Sequence, residues 1–249
     1  MKTEWNYTTL ALAYLKRPEY ADDAISKMLE IAALDDGAEV CDVGAGTANL
    51  TLALARRGFP VTAVEPNDAM RELGIDRTSR FPKVTWHEGT GEQTGQPDSR
   101  FSLVTFGSSF NVTNRELALI EARRILTSKG WMACMWNHRD LHDPIQAHVE
   151  QIIKSRISDY QYGSRREDQT EIILESGAFE DVRFIDGLVE HRQSVEDVIE
   201  AWRSHATLQR QAGSRFSDLV DEISAYLKSL GDSSITTPYT TRLWMARAV

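Results

Sequence analysis

Apolar residues recur at helical spacing from about Thr8 to Leu34: Leu10, Leu12, Ala13 and Leu15, then Ala24, Ile25, Met28, Leu29 and Ala32. Pro18 interrupts that run, so the pattern predicts two helices joined at Lys16-Arg17-Pro18, with Pro18 near the start of the second. Asp35-Asp36-Gly37 closes the segment. Short apolar runs then alternate with helical stretches. Val40–Val43, Val61–Val64, Val84–Trp86, Phe101–Phe106 and Trp131–Trp136 read as strands. Asn49–Arg57 (ended by Gly58), Asp68–Leu73 and Asn114–Leu126 read as helices, the last with Leu117, Ile120, Ala122 and Leu126 on one side. Alternation at this interval predicts βαβ units and a parallel sheet covered on both faces.

After Asn137 the rhythm changes. A helix over about Pro144–Ile157 precedes a polar stretch, Ser158–Gln169, and another helix ending at Gly177. Phe179–Glu190 reads as a strand, Val195–Arg203 and Phe216–Leu230 as helices, and Thr240–Ala246 as a final strand. The Phe216–Leu230 helix carries Phe216, Leu219, Val220, Ile223, Tyr226, Leu227 and Leu230 on one stripe. The expected fold is therefore α/β and Rossmann-like. It has a mostly parallel seven-stranded sheet with helices on both faces, N-terminal helices, and a helical lid inserted before the last strand.

Composition narrows the function. The 249 residues carry 28 Lys+Arg against 37 Asp+Glu, a formal charge of −9, which argues against nucleic acid or an anionic membrane as partner. No run approaches a transmembrane span, and Met1–Asn6 shows no apolar signal region, so a cytoplasmic protein is expected. Cys41 and Cys134 sit inside apolar strand-like runs and read as buried small hydrophobes, and no metal site is expected. The sequons at Asn6, Asn49 and Asn111 are chance matches on that reading.

The chemistry concentrates in Glu39–Leu50, which runs strand, glycine turn, helix. Glycines at the end of the first parallel strand let the backbone approach a ligand, and the helix start offers free N–H groups. A dinucleotide fingerprint needs a third glycine where this chain has Asn49, and a pyrophosphate disfavours Asp42 beside the loop. The acid-first order Asp-x-Gly-x-Gly suits a ligand with positive charge there, and S-adenosylmethionine carries an ammonium and a sulfonium. Glu65, ending the second strand, can accept both ribose hydroxyls, or can simply cap a helix ahead of Pro66.

Val40–Leu50 resembles motif I of the class I S-adenosylmethionine-dependent methyltransferases, and Val61–Met70 resembles their second motif. Further motifs resemble the methyltransferase type 11 branch related to trans-aconitate methyltransferases. They are Tyr14–Tyr20, Gly89-Thr90-Gly91-Glu92, Phe101–Val112, Trp136-Asn137-His138-Arg139-Asp140 and Pro238–Arg242. Two positions depart from that pattern: Ala48 replaces the third motif-I glycine, and Phe110-Asn111-Val112 stands where the branch shows Phe-His-Trp.

The resemblance implies one methyltransferase domain over residues 1–249. It divides into an N-terminal helical cap (1–36), a cofactor-binding core (37–137) and a substrate-side half (138–249) with its lid at about 194–231. It also implies roles. Gly44, Ala45 and Gly46 pass under the methionine part of S-adenosyl-L-methionine, with Asp42 holding the turn or the ammonium. Glu65 holds the ribose. Asn67, Asp68 and Met70 border the adenine, and Thr90, Gly91 and Glu92 close its other edge. Ser108 lies beside the sulfonium, while Tyr14 and Arg17 cover the cofactor. Candidate catalytic residues are Asn111, His138 and Asp140, with His142 a further possible base and Asn137 a possible substrate anchor. Trp202, Arg203 and His205 belong either to a lid over a small-molecule acceptor or to the core and its solvated face. Two alternatives remain: a protein of this fold whose chemistry has been lost or altered, and an NAD-dependent oxidoreductase, disfavoured by Asn49 and Asp42.

Overall fold

The computed structural model describes Thr8 and residues 11–249. Leu10, the first sequon and the Met1–Asn6 segment lie outside the described residues. Seven strands form one sheet: β1 (Val40–Val43), β2 (Val61–Val64), β3 (Val84–His87), β4 (Phe101–Gly107), β5 (Leu126–Arg139), β6 (Phe179–Ser194) and β7 (Ser234–Ala248). Their order is β3-β2-β1-β4-β5-β7-β6. Neighbours from β3 through β5 pair in parallel, and β7 runs antiparallel to both β5 and β6. The order reverses between β1 and β4, so a crevice opens beyond their carboxyl ends.

Strand alternation divides the core. Cys41, Val43, Val104 and Cys134 face one side and pack with α5 (Arg115–Ile125) and α7 (Thr170–Glu175). Val40, Leu103, Ala133 and Met135 face the other and pack with α2 (Asp22–Ala32) and α3 (Asn49–Arg56). Both cysteines are buried and free. A third core joins α6 (Pro144–Arg156), α8 (Val195–Arg203), α9 (Ala206–Ala212) and α10 (Phe216–Ser229) through Val149, Ile153, Trp202, Leu208 and Ile223. The helical insert is thus larger than the two helices expected. It recruits α6 from before β6 and contains α9, whose sequence Ala-Thr-Leu-Gln-Arg-Gln-Ala carries no strong apolar periodicity.

Other boundaries move for identifiable reasons. Pro18 does not start the second helix. Residues 18–21 run extended, with the Ala21 N–H donating to Thr241 Oγ1 at 2.8 Å, and α2 begins at Asp22 after the short α1 (Ala11–Tyr14). α4 (Asp68–Thr78) continues past Leu73 because Gly74 serves packing rather than termination: a Cβ there would lie 2.1 Å from the Trp86 ring. On α5 the buried face is Ala118, Leu119, Ala122 and Ile125, while Leu117 and Ile120 are exposed. Leu126 opens β5, paired with Phe101, rather than ending the helix. Among the described residues, no helix is long and apolar enough to cross a membrane, and no His/Cys/Asp/Glu group could hold a metal ion.

Candidate functional site

One cavity of about 790 Å³ opens where the strand order reverses, bounded by the β1 turn, the N-terminal segment and the helical insert. Its floor is the β1–α3 turn. Both Gly44 and Ala45 N–H groups donate to the Val64 carbonyl, at 2.8 and 3.1 Å, folding the chain back over β2. Three alternate residues adopt positive-φ backbone for this purpose: Gly44 (φ +68°), Gly46 (φ +55°) and Ala48 (φ +73°). The two glycines do different work. A Cβ on Gly46 would meet nothing within 4 Å and would point into open space, as a ligand-facing position requires. A Cβ on Gly44 would lie 2.4 Å from Ser109 Cβ, so Gly44 is needed for packing inside the protein.

Glu65 ties this turn to the next one. Its Oε2 accepts from Gly46 N–H at 2.8 Å and its Oε1 from Asn67 N–H at 2.9 Å. Burial raises the carboxyl's pKa, and these two N–H groups oppose the rise. Two bonded oxygens retain lone pairs for further donors. The Asn67 side chain caps α4 by accepting from Met70 N–H at 3.1 Å, so Glu65 is not the cap. Asp42 is fully buried, accepting from Thr51 Oγ1 at 2.6 Å and Thr105 Oγ1 at 3.0 Å.

Burial pushes the Asp42 pKa up to about 6, against the pull of those hydroxyls. At low pH the carboxyl is neutral in folded and unfolded chains alike, and its full contribution to stability is present. As pH rises from about 4 through about 6, the carboxyl ionises in the unfolded chain before it does in the folded one and that contribution is lost, by about 3 kcal/mol. Asp42→Asn should therefore gain stability relative to wild type between pH 4 and pH 7. Chemical denaturation across that range checks this; parallel profiles would mean that Asp42 titrates at its ordinary value.

The remaining walls come from distant segments. Ser108, in a left-handed conformation (φ +61°), shares a 2.9 Å hydrogen bond with the Tyr20 hydroxyl. Thr90 and Gly91 line the cavity, and Glu92 accepts from Asn114 N–H at 2.6 Å, fixing the start of α5. Arg17 lies with its guanidinium 3.6 Å from the Tyr14 ring centroid. Lys16 is held by Asp197 at 3.0 Å and, through its carbonyl, by Gln193 at 2.7 Å, which links the N-terminal segment to α8. Asn111 Oδ1 accepts from the Trp136 indole at 2.7 Å; since that indole only donates, the Asn111 amide nitrogen is left for the cavity.

Several expected site residues are placed differently. Asp140 is not in the cavity wall; its carboxylate accepts from His142 N–H at 2.9 Å in a local turn, and His142 is exposed. Asp68 points to Arg71 and Arg203 to Glu200, outside the cavity. Asn137 lines it, but its amide donates to Glu19 O at 2.9 Å and accepts from Thr241 at 2.5 Å, which leaves little for a substrate. His138 is buried in the wall, with its pKa pushed down to about 3 by burial and then by Arg166 and Arg165. A ring held so firmly neutral makes a hydrogen-bond partner, not an efficient base near neutral pH. Trp202 and His205 are at once core and wall: their rings stack at 5.4 Å, and both face the cavity.

Residues given no site role from the sequence also converge here: Tyr20, Trp136 and Arg139, which lie inside the quoted motifs, and Tyr160, Arg165 and Arg166, which lie in none. The two adjacent arginines sit in the stretch Ser158–Gln169, where charge without periodicity reads as a solvated loop.

Residues 41–134 match the family model described as "Methyltransferase domain". A demethylmenaquinone methyltransferase of Tropheryma whipplei is 32% identical over 136 residues, covering 54% of this chain and 55% of that protein. The chain thus spans about half the length of the curated relatives it matches. Among solved structures, one from Anaeromyxobacter dehalogenans assigned to the type II methyltransferases superposes with a TM-score of 0.67 at 18% identity, covering 93% of this chain and 97% of that one. Phosphoethanolamine N-methyltransferase 2 of Haemonchus contortus, solved with phosphomonomethylethanolamine and S-adenosylhomocysteine, gives 0.58 at 15% identity, covering 97% of this chain and 57% of that one. Residues 41–134 are thus similar to a methyltransferase domain, and the solved structures share the Rossmann-like fold; none of these matches singles out the trans-aconitate branch.

Proposed function

We propose that this chain, whose residues 41–134 match the methyltransferase-domain model, transfers a methyl group from S-adenosyl-L-methionine to a small-molecule acceptor by in-line displacement. The observation that carries this reading is Glu65. It is one buried carboxylate bonded to both the glycine turn and the α4 start, in a cavity onto which Gly46 opens a side-chain-free face. A carboxylate acceptor of this kind suits a ribose diol, which donates to it, beside a cationic amino acid better than a pyrophosphate. The neighbouring fold solved with S-adenosylhomocysteine supports the same ligand. Within the proposal, the described part of the 1–36 segment covers the cofactor, 37–137 hold it and 138–249 receive the acceptor. Cytoplasmic action on a small molecule belongs to the same reading, and the net charge of −9 supports a partner other than nucleic acid.

When bound, the cofactor supplies an electrophilic methyl carbon on a positively charged sulfur. The chain's own contribution is alignment and exclusion of water. Arg17 offers its fork to the cofactor carboxylate, and Thr90, Gly91, Asn67 and Met70 enclose the adenine. Asn111 donates its amide N–H to the acceptor and takes no proton. With its other nitrogen hydrogen-bonded to the Arg165 backbone, His138 turns the Nε2 lone pair to the acceptor as a hydrogen-bond acceptor.

A labelled-methyl screen over metabolite pools, with calorimetry for S-adenosylhomocysteine, tests the whole reading. Transfer to a small molecule supports it; tight cofactor binding with no transfer to any pool favours a cofactor-binding protein of altered chemistry. With the acceptor identified, Asn111→Ala should lower turnover about 10- to 100-fold while S-adenosylhomocysteine affinity stays within about twofold. An unchanged kcat would remove Asn111 from the reacting centre.

A further inference from the structure

The acceptor end of the cavity is strongly cationic in a chain that is acidic overall. Arg139, Arg165 and Arg166 all line it, with Arg17 near by. Most surface arginines here have carboxylate partners. Among the described residues, no carboxylate lies within 4.0 Å of these four. The cavity-lining acid whose charge acts on Arg166, Glu150, is occupied by the Tyr162 hydroxyl and by Lys154 at 3.0 Å. The guanidiniums are set by stacking instead. Arg139 lies 4.0 Å from the Trp202 ring centroid and 5.8 Å from that of Tyr239, and Arg166 lies 4.0 Å from that of Tyr162. Arg165 donates through Nε to the Tyr162 carbonyl at 3.0 Å, leaving its two terminal nitrogens.

Such an arrangement is costly in isolation. Burial and then the charges of Arg17, Arg139 and Arg166 bring the Arg165 guanidinium down to about 10, with Tyr160 partly opposing them. The neighbouring imidazoles, His138 and His205, stay neutral under the same field, and His138 Nε2 is a buried nitrogen with no hydrogen-bond partner. Half-buried cations without counter-charge are retained where a ligand completes them. Guanidinium planes fixed on aromatic faces are pre-organised for a planar oxyanion, which they bind two bonds at a time.

We infer that Arg139, Arg165 and Arg166 form a socket for the anionic group of the acceptor, so that the substrate is a small organic acid, carrying carboxylate or phosphate, and not a neutral molecule or an amine. This deepens the methyltransferase reading and rests on it. The group held by the arginines is the recognition handle, and the excess of positive charge in one crevice of an acidic protein draws such anions inward.

The test uses the full chain saturated with S-adenosylhomocysteine. Succinate, citrate and inorganic phosphate are the probes, neutral succinamide is the comparison, and binding is read by calorimetry and thermal unfolding at constant ionic strength. The two carboxylates and the phosphate distinguish the sources of the oxyanion. At least one acid should bind ten or more times tighter than succinamide. Arg165→Gln and Arg139→Gln should each weaken it at least tenfold, while Arg203→Gln on the surface leaves it unchanged. Arg165→Lys, which keeps charge but loses the fork, should fall between. The inference is overturned if no acid stabilises the wild type beyond sodium chloride of equal ionic strength, if succinamide binds as well, or if the arginine variants bind the acid undiminished. Should Arg165→Gln fail to fold, the wild-type comparison of acids with succinamide decides alone. Absent S-adenosylhomocysteine binding would instead fail the methyltransferase reading, with the acid-binding arm still testing the socket.

Discussion

Replacing Gly44 with alanine is expected to lower the stability of the chain by about 2–4 kcal/mol, with loss of cofactor binding as a consequence of the displaced turn. The added methyl carbon would sit 2.4 Å from Ser109 Cβ and 2.9 Å from its Oγ. Ser109 has little room to yield. Its hydroxyl donates to the Val43 carbonyl at 2.6 Å, and the next residue, Phe110, is fully buried against Phe106. Overpacking of this kind costs about 1–3 kcal/mol, and the φ of +68° adds about 1 kcal/mol for any residue with a Cβ. Gly46→Ala separates packing from binding. Its Cβ meets no protein atom, so stability should fall by only about 1 kcal/mol, from the backbone term. Cofactor affinity should still fall, because the methyl occupies the face the ligand needs. Denaturation curves and S-adenosylhomocysteine calorimetry on both variants decide. If Gly44→Ala were as stable as Gly46→Ala, the contact with Ser109 would not be the constraint it is taken for.

The inner strands β1, β2 and β4 were legible because they are buried on both faces. Runs such as Val40-Cys41-Asp42-Val43 and Val61-Thr62-Ala63-Val64 have no competing helical reading, and glycine turns bound them. Helix faces were less legible. Leu117 and Ile120 satisfy helical spacing as well as Leu119 and Ile125 do, and only the position of the sheet decides which side is covered. Glycine's meaning was also ambiguous: Gly58 stands just past α3, whereas Gly74 stays inside α4 because Trp86 packs against it.

At the site, the cofactor half follows a contiguous strand–turn–helix motif, so Gly44–Gly46 and Glu65 could be named from order alone. The acceptor half is assembled from places remote in sequence. Arg139 ends β5, Arg165 and Arg166 lie in a 3-10 turn after α6, and Trp202 and His205 flank the end of α8. Neither period nor motif links those segments. Conversely Asp140 and His142 sit just beyond a sheet strand, where catalytic residues often lie, yet the local turn that binds His142 N–H to Asp140 directs both away. Sequence proximity to a strand end does not fix side-chain direction.

Glu65→Ala should raise the dissociation constant for S-adenosylhomocysteine roughly 30- to 150-fold, about 2–3 kcal/mol, the scale of hydrogen bonds to a charged group. Two contributions combine. Ribose hydroxyls lose their acceptor, and the N–H groups of Gly46 and Asn67 lose theirs, which loosens the turn and the α4 start together. Removal of a buried carboxylate whose pKa is raised by burial recovers part of the desolvation cost, so the variant should fold. A ligand lacking the 2′-hydroxyl separates the two contributions. If Glu65 holds the ribose, wild type should bind the deoxy ligand more weakly, and Glu65→Ala should discriminate little between the two ligands. Should the variant bind S-adenosylhomocysteine as tightly as wild type, or keep the full preference for the 2′-hydroxyl, Glu65 would be an organiser of the turn and not the ribose acceptor, and the main support for the proposed cofactor would be gone.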